Sequence, residues 1–249
     1  MPKRTPSRSV SKSPSAEVAA KSARSPKSSS HAADGRLPKH VRVYLYVPNL
    51  IGYTRVLLTG FGIYTILRAA NKEAHHDNTW QLGLLAYLCS FVLDFFDGYA
   101  ARMMNQSSEF GAVLDMVTDR VSTMLLLMLL GGRLFPGRFE IYAFLAALDY
   151  SSHWAQMYAS KGHHKTTNED KNIFVRAFYK IYVLFGYLCV GTEIFYITQV
   201  VLFFEPNTMI GQVRLDTVVN SLLLPACVGK NIVNVAQLMS GFESVAKRD

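Results

Sequence analysis

The sequence predicts an all-α, polytopic integral membrane protein with six transmembrane helices, preceded by a basic tail. Three observations lead there. Half of the 249 residues are hydrophobic and only 18% are charged, which excludes a disordered chain and a collagen-like or coiled-coil fibre. Six apolar segments follow one another at roughly 43–69, 80–104, 109–132, 138–160, 172–204 and 214–240. Each is long enough for the ~20 residues that cross a bilayer core as a helix. Finally, the net charge is confined to one end. Residues 1–42 hold ten Lys and Arg against two acids, whereas residues 43–249 hold sixteen of each.

The tail, residues 1–42, reads as disordered and cytosolic. Its first thirty residues contain ten Ser and four Pro, and no apolar periodicity offsets the entropy of ordering them. Thr5-Pro6, Ser13-Pro14 and Ser25-Pro26 match the minimal pattern of proline-directed kinases. No apolar stretch follows the basic residues within thirty positions, so the tail is not read as a secretory signal. A transit peptide is the competing reading. An anionic lipid surface accounts for the basic residues with less than a nucleic acid would, and no nucleic acid is expected as a partner.

Residues 43–249 form the expected membrane domain. No segment offers eighteen residues free of charge. The longest such runs are fourteen residues, Trp80 to Leu93, and thirteen, Thr217 to Gly229. A soluble six-helix bundle is excluded because too few polar residues remain to cover it, whereas a polar site inside a membrane bundle explains the interruptions. Lys161, Lys165 and Lys171 lie in the fourth connection, and Arg133, Arg138 and Arg214 on the other side. With the basic tail in the cytosol, both termini and the connections after the second and fourth helices face that compartment. Cys89, Cys189 and Cys227 are far apart in apolar stretches. They are expected to be buried packing residues, with no disulfide or zinc site among them.

The chemistry is concentrated in Leu93 to Arg120, LDFFDGYAARMMNQSSEFGAVLDMVTDR. One aspartate at the centre of a bilayer costs about 2.5–3.5 kcal/mol on insertion scales, and four would cost about 10 kcal/mol if uncompensated. On a helix advancing about 100° per residue, Asp94, Asp97 and Ala101 fall within roughly 60° of arc. Asp115 and Asp119 share a face of the next helix, with Gly111 one turn earlier. The short polar turn Asn105 to Ser108 makes the two helices antiparallel neighbours and brings the four carboxylates together. Gly98 and Gly111 leave room for a ligand or for the facing helix. Four hard oxygen ligands suit Mg²⁺ or Mn²⁺, and the soft or imidazole ligands that zinc favours are missing from the stretch.

Asp94-x2-Asp97-Gly98-x2-Ala101-Arg102-x8-Gly111-x3-Asp115-x3-Asp119 resembles, without departure, the signature of the CDP-alcohol phosphatidyltransferases. With each residue type used at about 6%, eight fixed positions recur by chance about once in 10¹⁰ starting points. The wording NQSSEFGAVLDMVTDR, together with VPNLIGYTR (47–55), LDYSSHW (148–154) and GTEIFY (191–196), is similar to phosphatidylinositol synthases of the eukaryotic type within that family. The resemblance covers about residues 43–200. It implies transfer of the phosphatidyl group from CDP-diacylglycerol to myo-inositol, with release of CMP, at a site holding two Mg²⁺ or Mn²⁺ ions. It also implies Asp94, Asp97 and Asp115 as metal ligands, and Asp119 as general base with or without contact to the second ion. Gly98, Ala101, Arg102 and Ser108 would meet the nucleotide and its diphosphate, Ser108 also serving as a helix N-cap.

Asp149, His153, Arg176, Tyr179 and Glu193 are polar groups in apolar spans and candidates for holding inositol hydroxyls. Hydrogen bonding between helices accounts for each equally well. The alternative function is transfer to glycerol phosphate, serine or choline by the same chemistry. A cation transporter would not need Gly98, Ala101, Arg102 and Gly111 at fixed spacing. An ion-pair role for the aspartates, with Arg55, Arg102 and Arg120 as partners, does not require the spacing either. The expected setting is the endoplasmic reticulum or Golgi membrane with the active site facing the cytosol. The partners are CDP-diacylglycerol, myo-inositol, membrane lipids and, in a homodimer, a second copy of the chain. His75-His76 and His163-His164 read as solvated loop residues.

Overall fold

Polar and charged side chains line part of the interior of this bundle, and many large apolar ones face outward. Arg55, Asp97, Asp149, Glu193, Lys230, Asn234 and Gln237 are all buried, whereas Leu57, Phe61, Leu85, Phe144, Ile232 and Met239 are exposed. In water that inversion would leave a sticky surface; in lipid it is the stable arrangement, since hydrocarbon solvates leucine and cannot solvate a carboxylate.

The computed structural model describes residues 38–71, 78–161 and 182–248. A short α1 (Lys39–Tyr44) leads into α2 (Val47–Ala70), α3 (Thr79–Met103), α4 (Glu109–Leu129), α5 (Phe139–Lys161) and α6 (Tyr182–Phe204). A two-stranded hairpin follows, β1 (Met209–Ile210) antiparallel to β2 (Val213–Arg214). The chain ends in α7 (Leu215–Val218) and α8 (Leu224–Ala246). The helices α2, α3, α6 and the run Leu215–Ala246 are long and apolar enough to cross a membrane. Helices α4 and α5 are of similar length but carry the charged and polar residues of the site, among them Asp115, Asp119 and Arg120, and Asp149 and His153.

Four of the six apolar segments become long helices whose bounds lie within a few residues of the sequence expectation, and the fifth ends where expected, at Phe204. The sixth is broken. A wide π-type turn, Val219–Leu223, separates α7 from α8, and Pro225 stands at the start of α8. Proline has no N–H to donate and its ring collides with the carbonyl four residues back, so the helix must widen there. Tyr187 donates a 2.6 Å hydrogen bond to the Leu222 carbonyl at that break, which satisfies a group that lipid could not. A second π-type turn, Leu130–Leu134, ends α4, and Arg133 donates to the Ala70 carbonyl at the end of α2.

The bundle is dry at one end and polar at the other. Ile66, Tyr87, Leu126, Leu127, Leu130, Tyr142 and Val200 form the main apolar core, with Trp80 stacked on Phe204 at 4.9 Å. The polar end is built from the first half of α2, the last half of α3 and the first half of α4. Helices α2 and α3 cross almost backbone to backbone. A Cβ on Gly62 would lie 2.6 Å from the Gly83 carbonyl oxygen, and one on Gly83 would lie 2.8 Å from that of Gly62. This contact sets the distance at which their polar halves face one another.

Cys227 is buried and Cys189 half-buried, but Cys89 is exposed, contrary to the packing role assigned to all three. The buried face of α3 runs through Gly83, Ala86, Tyr87 and Ser90, and Cys89 lies off it toward the surrounding lipid. The tail up to residue 37, the first ten residues of the fifth segment, and Arg176, Tyr179 and the paired histidines lie outside the described residues.

Candidate active site

The turn between α3 and α4 is what joins the four aspartates. Asn105 takes a left-handed backbone conformation, φ 53°, which a short polar side chain tolerates. Ser108 then caps α4, its hydroxyl accepting from the Gly111 N–H at 3.0 Å. The N-cap role expected of Ser108 is therefore realised. A Cβ on Gly111 would lie 2.8 Å from Asn49 Oδ1, so glycine is what lets α4 approach α2 at this level.

One guanidinium sits among the four carboxylates. Arg55 Nη1 lies 2.8 Å from Asp94, 2.6 Å from Asp97 and 3.0 Å from Asp115, while Nη2 bonds Asp119. The Arg55 side chain is 3% exposed, against 10% for Asp97 and 48% for Asp115. The cluster is thus closed behind by arginine and open in front through Asp115. Arg55 is held from behind as well: Ser90 Oγ donates to its carbonyl at 3.0 Å, and Thr59 lies 2.9 Å from Ser90 Oγ.

A divalent metal fits this donor set. Asp94, Asp97 and Asp115 each offer an oxygen within 4.8 Å of the others. The donors are all hard oxygens, and Arg55, with Arg120 3.4 Å from Asp119, leaves the four carboxylates in excess of the cations beside them, which in a low-dielectric interior favours a bound cation. Asp119 lies outside that triplet.

Two cavities meet at the cluster. The smaller, about 170 Å³, is lined by Asp97, Gly98, Ala101, Arg102, Ser108, Gly111 and Asp115, together with Asn49 and Gly52. All four residues expected to meet the nucleotide thus share one groove. The larger, about 530 Å³, begins at Asp94, Asp119 and Arg55 and runs inward between α4, α5, α6 and α8. Among its walls are Asp149, His153 and Glu193, three of the residues expected to hold the acceptor. Asp149 accepts from Arg120 Nη1 at 2.9 Å and from Asn234 Nδ2 at 3.1 Å, and Lys230 Nζ is 3.6 Å away. Lys230 also donates to Asn234 Oδ1. Tyr87 donates to Glu193 at 2.5 Å and Thr123 at 3.3 Å.

Sequence reasoning did not give a functional role to Arg55, Arg120, Lys230, Asn234 or Gln237. Of the three arginines considered as ion-pair partners, Arg55 and Arg120 pair with the aspartates, and Arg102 lines the smaller groove. Lys230 carried a signal, since it is the charge that ends the apolar run Thr217 to Gly229, and an ionisable residue inside a span marks a functional interior.

The sequence profile of a family described as CDP-alcohol phosphatidyltransferase matches residues 45–204. A Schizosaccharomyces pombe protein named CDP-diacylglycerol–inositol 3-phosphatidyltransferase is 34% identical over 231 residues, covering 85% of this chain and 93% of its own. A Homo sapiens protein of the same name is 33% identical, covering 83% and 94%. An Arabidopsis thaliana protein, named a probable enzyme of that kind, is 37% identical, covering 81% and 89%. No solved structure gives a significant match. The matched segment contains the four aspartates, the arginine that binds them and the groove beside them: the chain belongs to the CDP-alcohol phosphatidyltransferase family.

Proposed function

We propose that this membrane enzyme transfers the phosphatidyl group of CDP-diacylglycerol to a hydroxyl of myo-inositol and releases CMP. The observation that carries the reading is similarity at 33–37% identity, over 81–85% of this chain, to proteins named for that reaction. The site supports it with a hard-oxygen carboxylate triplet and two cavities that meet there.

Asp94, Asp97 and Asp115 would hold divalent ions, with Asp119 in reach of the second, and Mg²⁺ or Mn²⁺ bound there would neutralise the diphosphate of the substrate. The rest is the work of the chain's own residues. Gly98 presents no side chain to the groove, and the nearest atom to a Cβ placed there is Arg102 Nη1 at 3.5 Å, so a diphosphate can lie against the helix backbone. Arg102, exposed on the rim, grips phosphate oxygens through its forked donors, and Ala101 and Ser108 bound the nucleotide. Asp119, facing the larger cavity, accepts the proton of the inositol hydroxyl. The hydroxyl oxygen bonds to the phosphorus that carries diacylglycerol, the bond from that phosphorus to the CMP oxygen breaks, and the proton passes from Asp119 to water. The lipid tails leave sideways between helices.

We read all six long helices as membrane spans. Helices α4 and α5 pack against each other, and against α2 and α8 respectively, so their polar residues face the bundle interior. The setting proposed is the endoplasmic reticulum, with the site toward the cytosol and residues 1–42 as a tail on that side. Purified full-length protein given CDP-diacylglycerol and a divalent ion should release CMP with myo-inositol, and not with glycerol phosphate, serine or choline. Release with one of the others but not with inositol would overturn the reading.

A further inference from the structure

The larger cavity balances its charges internally. Its inner wall carries two cations, Arg120 and Lys230, and one carboxylate, Asp149, lies within 4 Å of both. Three elements converge on that carboxylate. From α4, Arg120 Nη1 lies 2.9 Å from one oxygen and 3.1 Å from the other. From α8, Asn234 donates to it at 3.1 Å and Lys230 approaches to 3.6 Å. On α5 itself, His153 turns toward the Asp149 backbone, its Nδ1 lying 2.8 Å from the carbonyl oxygen. The second inner carboxylate, Glu193, is held instead by Tyr87 and Thr123. Arg120 and Asp149 are both largely shielded, with side chains 18% and 12% exposed, so these charges act on one another with little screening by water.

A ligand's charge decides whether it can enter such a cavity. A hydroxyl of an uncharged polyol needs only donors and acceptors, and the Asp149 network supplies both. A phosphate monoester brings about −1.5 to −2 charges at neutral pH and needs cations not already committed. Here it would meet Asp149, Glu193 and the outer Asp94 and Asp119, with both inner cations engaged.

We propose that Asp149 makes this cavity selective for an uncharged polyol: by engaging Arg120 and Lys230 together it withholds the cations that would neutralise a phosphorylated acceptor. The proposal deepens the assignment of an inositol acceptor and rests on it. Arg120 and Asp149 lie within the 45–204 segment matched to the family, and α8 adds Lys230 and Asn234 from beyond it.

The test uses full-length enzyme in lipid nanodiscs with Mg²⁺ and CMP, and measures direct binding of myo-inositol and of its monophosphate ester by calorimetry. The wild type should bind inositol, and its monophosphate about tenfold more weakly or worse. Asp149→Asn keeps the shape and removes the charge; it should gain about tenfold or more in affinity for the monophosphate while losing affinity for inositol. A merely structural role for Asp149 could not produce that gain. The double variant Asp149→Asn with Lys230→Gln should lose the gain again. Asp149→Ser offers the same charge change with less bulk should the asparagine variant fail to fold, folding being scored by CMP-induced thermal stabilisation. Wild type that binds the monophosphate as tightly as inositol overturns the proposal without any variant, and so does an Asp149 variant that folds and gains nothing. Failure of the wild type to release CMP with inositol would instead overturn the acceptor assignment itself.

Discussion

Arg55 reaches its four carboxylate partners across sequence separations of about forty to sixty-four residues, and Asn234 reaches Asp149 across eighty-five. Such pairings decide which side chains share a cavity, and nothing local in the sequence encodes them. The aspartates are different. Their spacing on two successive helices is a property of the α-helix, so Asp94, Asp97, Asp115 and Asp119 could be brought together from the sequence alone. Asp119 lies outside the triplet Asp94, Asp97 and Asp115, which separates it from the three proposed ligands. Asp119→Asn is therefore expected to lower inositol turnover by about 10²–10⁴-fold, the usual cost of losing a general base, while metal-dependent binding of CDP-diacylglycerol is retained. Both quantities should be measured on one preparation. Parallel loss of binding and turnover would move Asp119 into the metal shell.

At the scale of elements, apolar run length locates four helices to within a few residues, and the end of a fifth, because a bilayer admits few other backbone structures. The break before α8 does not interrupt the apolar run from Thr217 to Gly229, so hydropathy passes over it, and Pro225 is the mark it leaves in the sequence. Cys89 was misplaced for a related reason: both faces of a membrane helix are apolar, so sequence does not say which one packs. Packing is instead set by small residues, and the Gly62–Gly83 crossing is the clearest case. Gly83→Leu should force α2 and α3 apart and lower the melting temperature in detergent, at an overpacking cost of about 1–3 kcal/mol. Gly60→Leu on the same helix pair is the control, since nothing lies within 4 Å of a Cβ there, and its melting curve should stay close to wild type. Equal destabilisation by both variants would show that helix propensity, and not the crossing, is responsible.

For the whole molecule, the sequence gives the balance of a charged tail and a charge-neutral bundle more clearly than the bundle's internal order. Residues 1–35 hold most of the net charge and none of the residues of the aspartate motif, Asp94 to Asp119. Their deletion should leave the specific activity of reconstituted enzyme nearly unchanged, with any effect falling on targeting or regulation. A fall in catalytic efficiency of more than about tenfold, or about 1.4 kcal/mol, would place the tail in the site.

The carboxylate cluster is also a party wall. Asp97 and Asp115 line the smaller groove and Asp94 and Asp119 the inner cavity; with the nucleotide in the first and inositol in the second, as proposed, the two substrates have separate rooms and neither has to vacate for the other. An enzyme built this way has no use for a phosphorylated intermediate that waits for the second substrate. Initial-rate plots against the two substrates should intersect and not run parallel, and labelled CMP should not exchange into CDP-diacylglycerol until inositol is added.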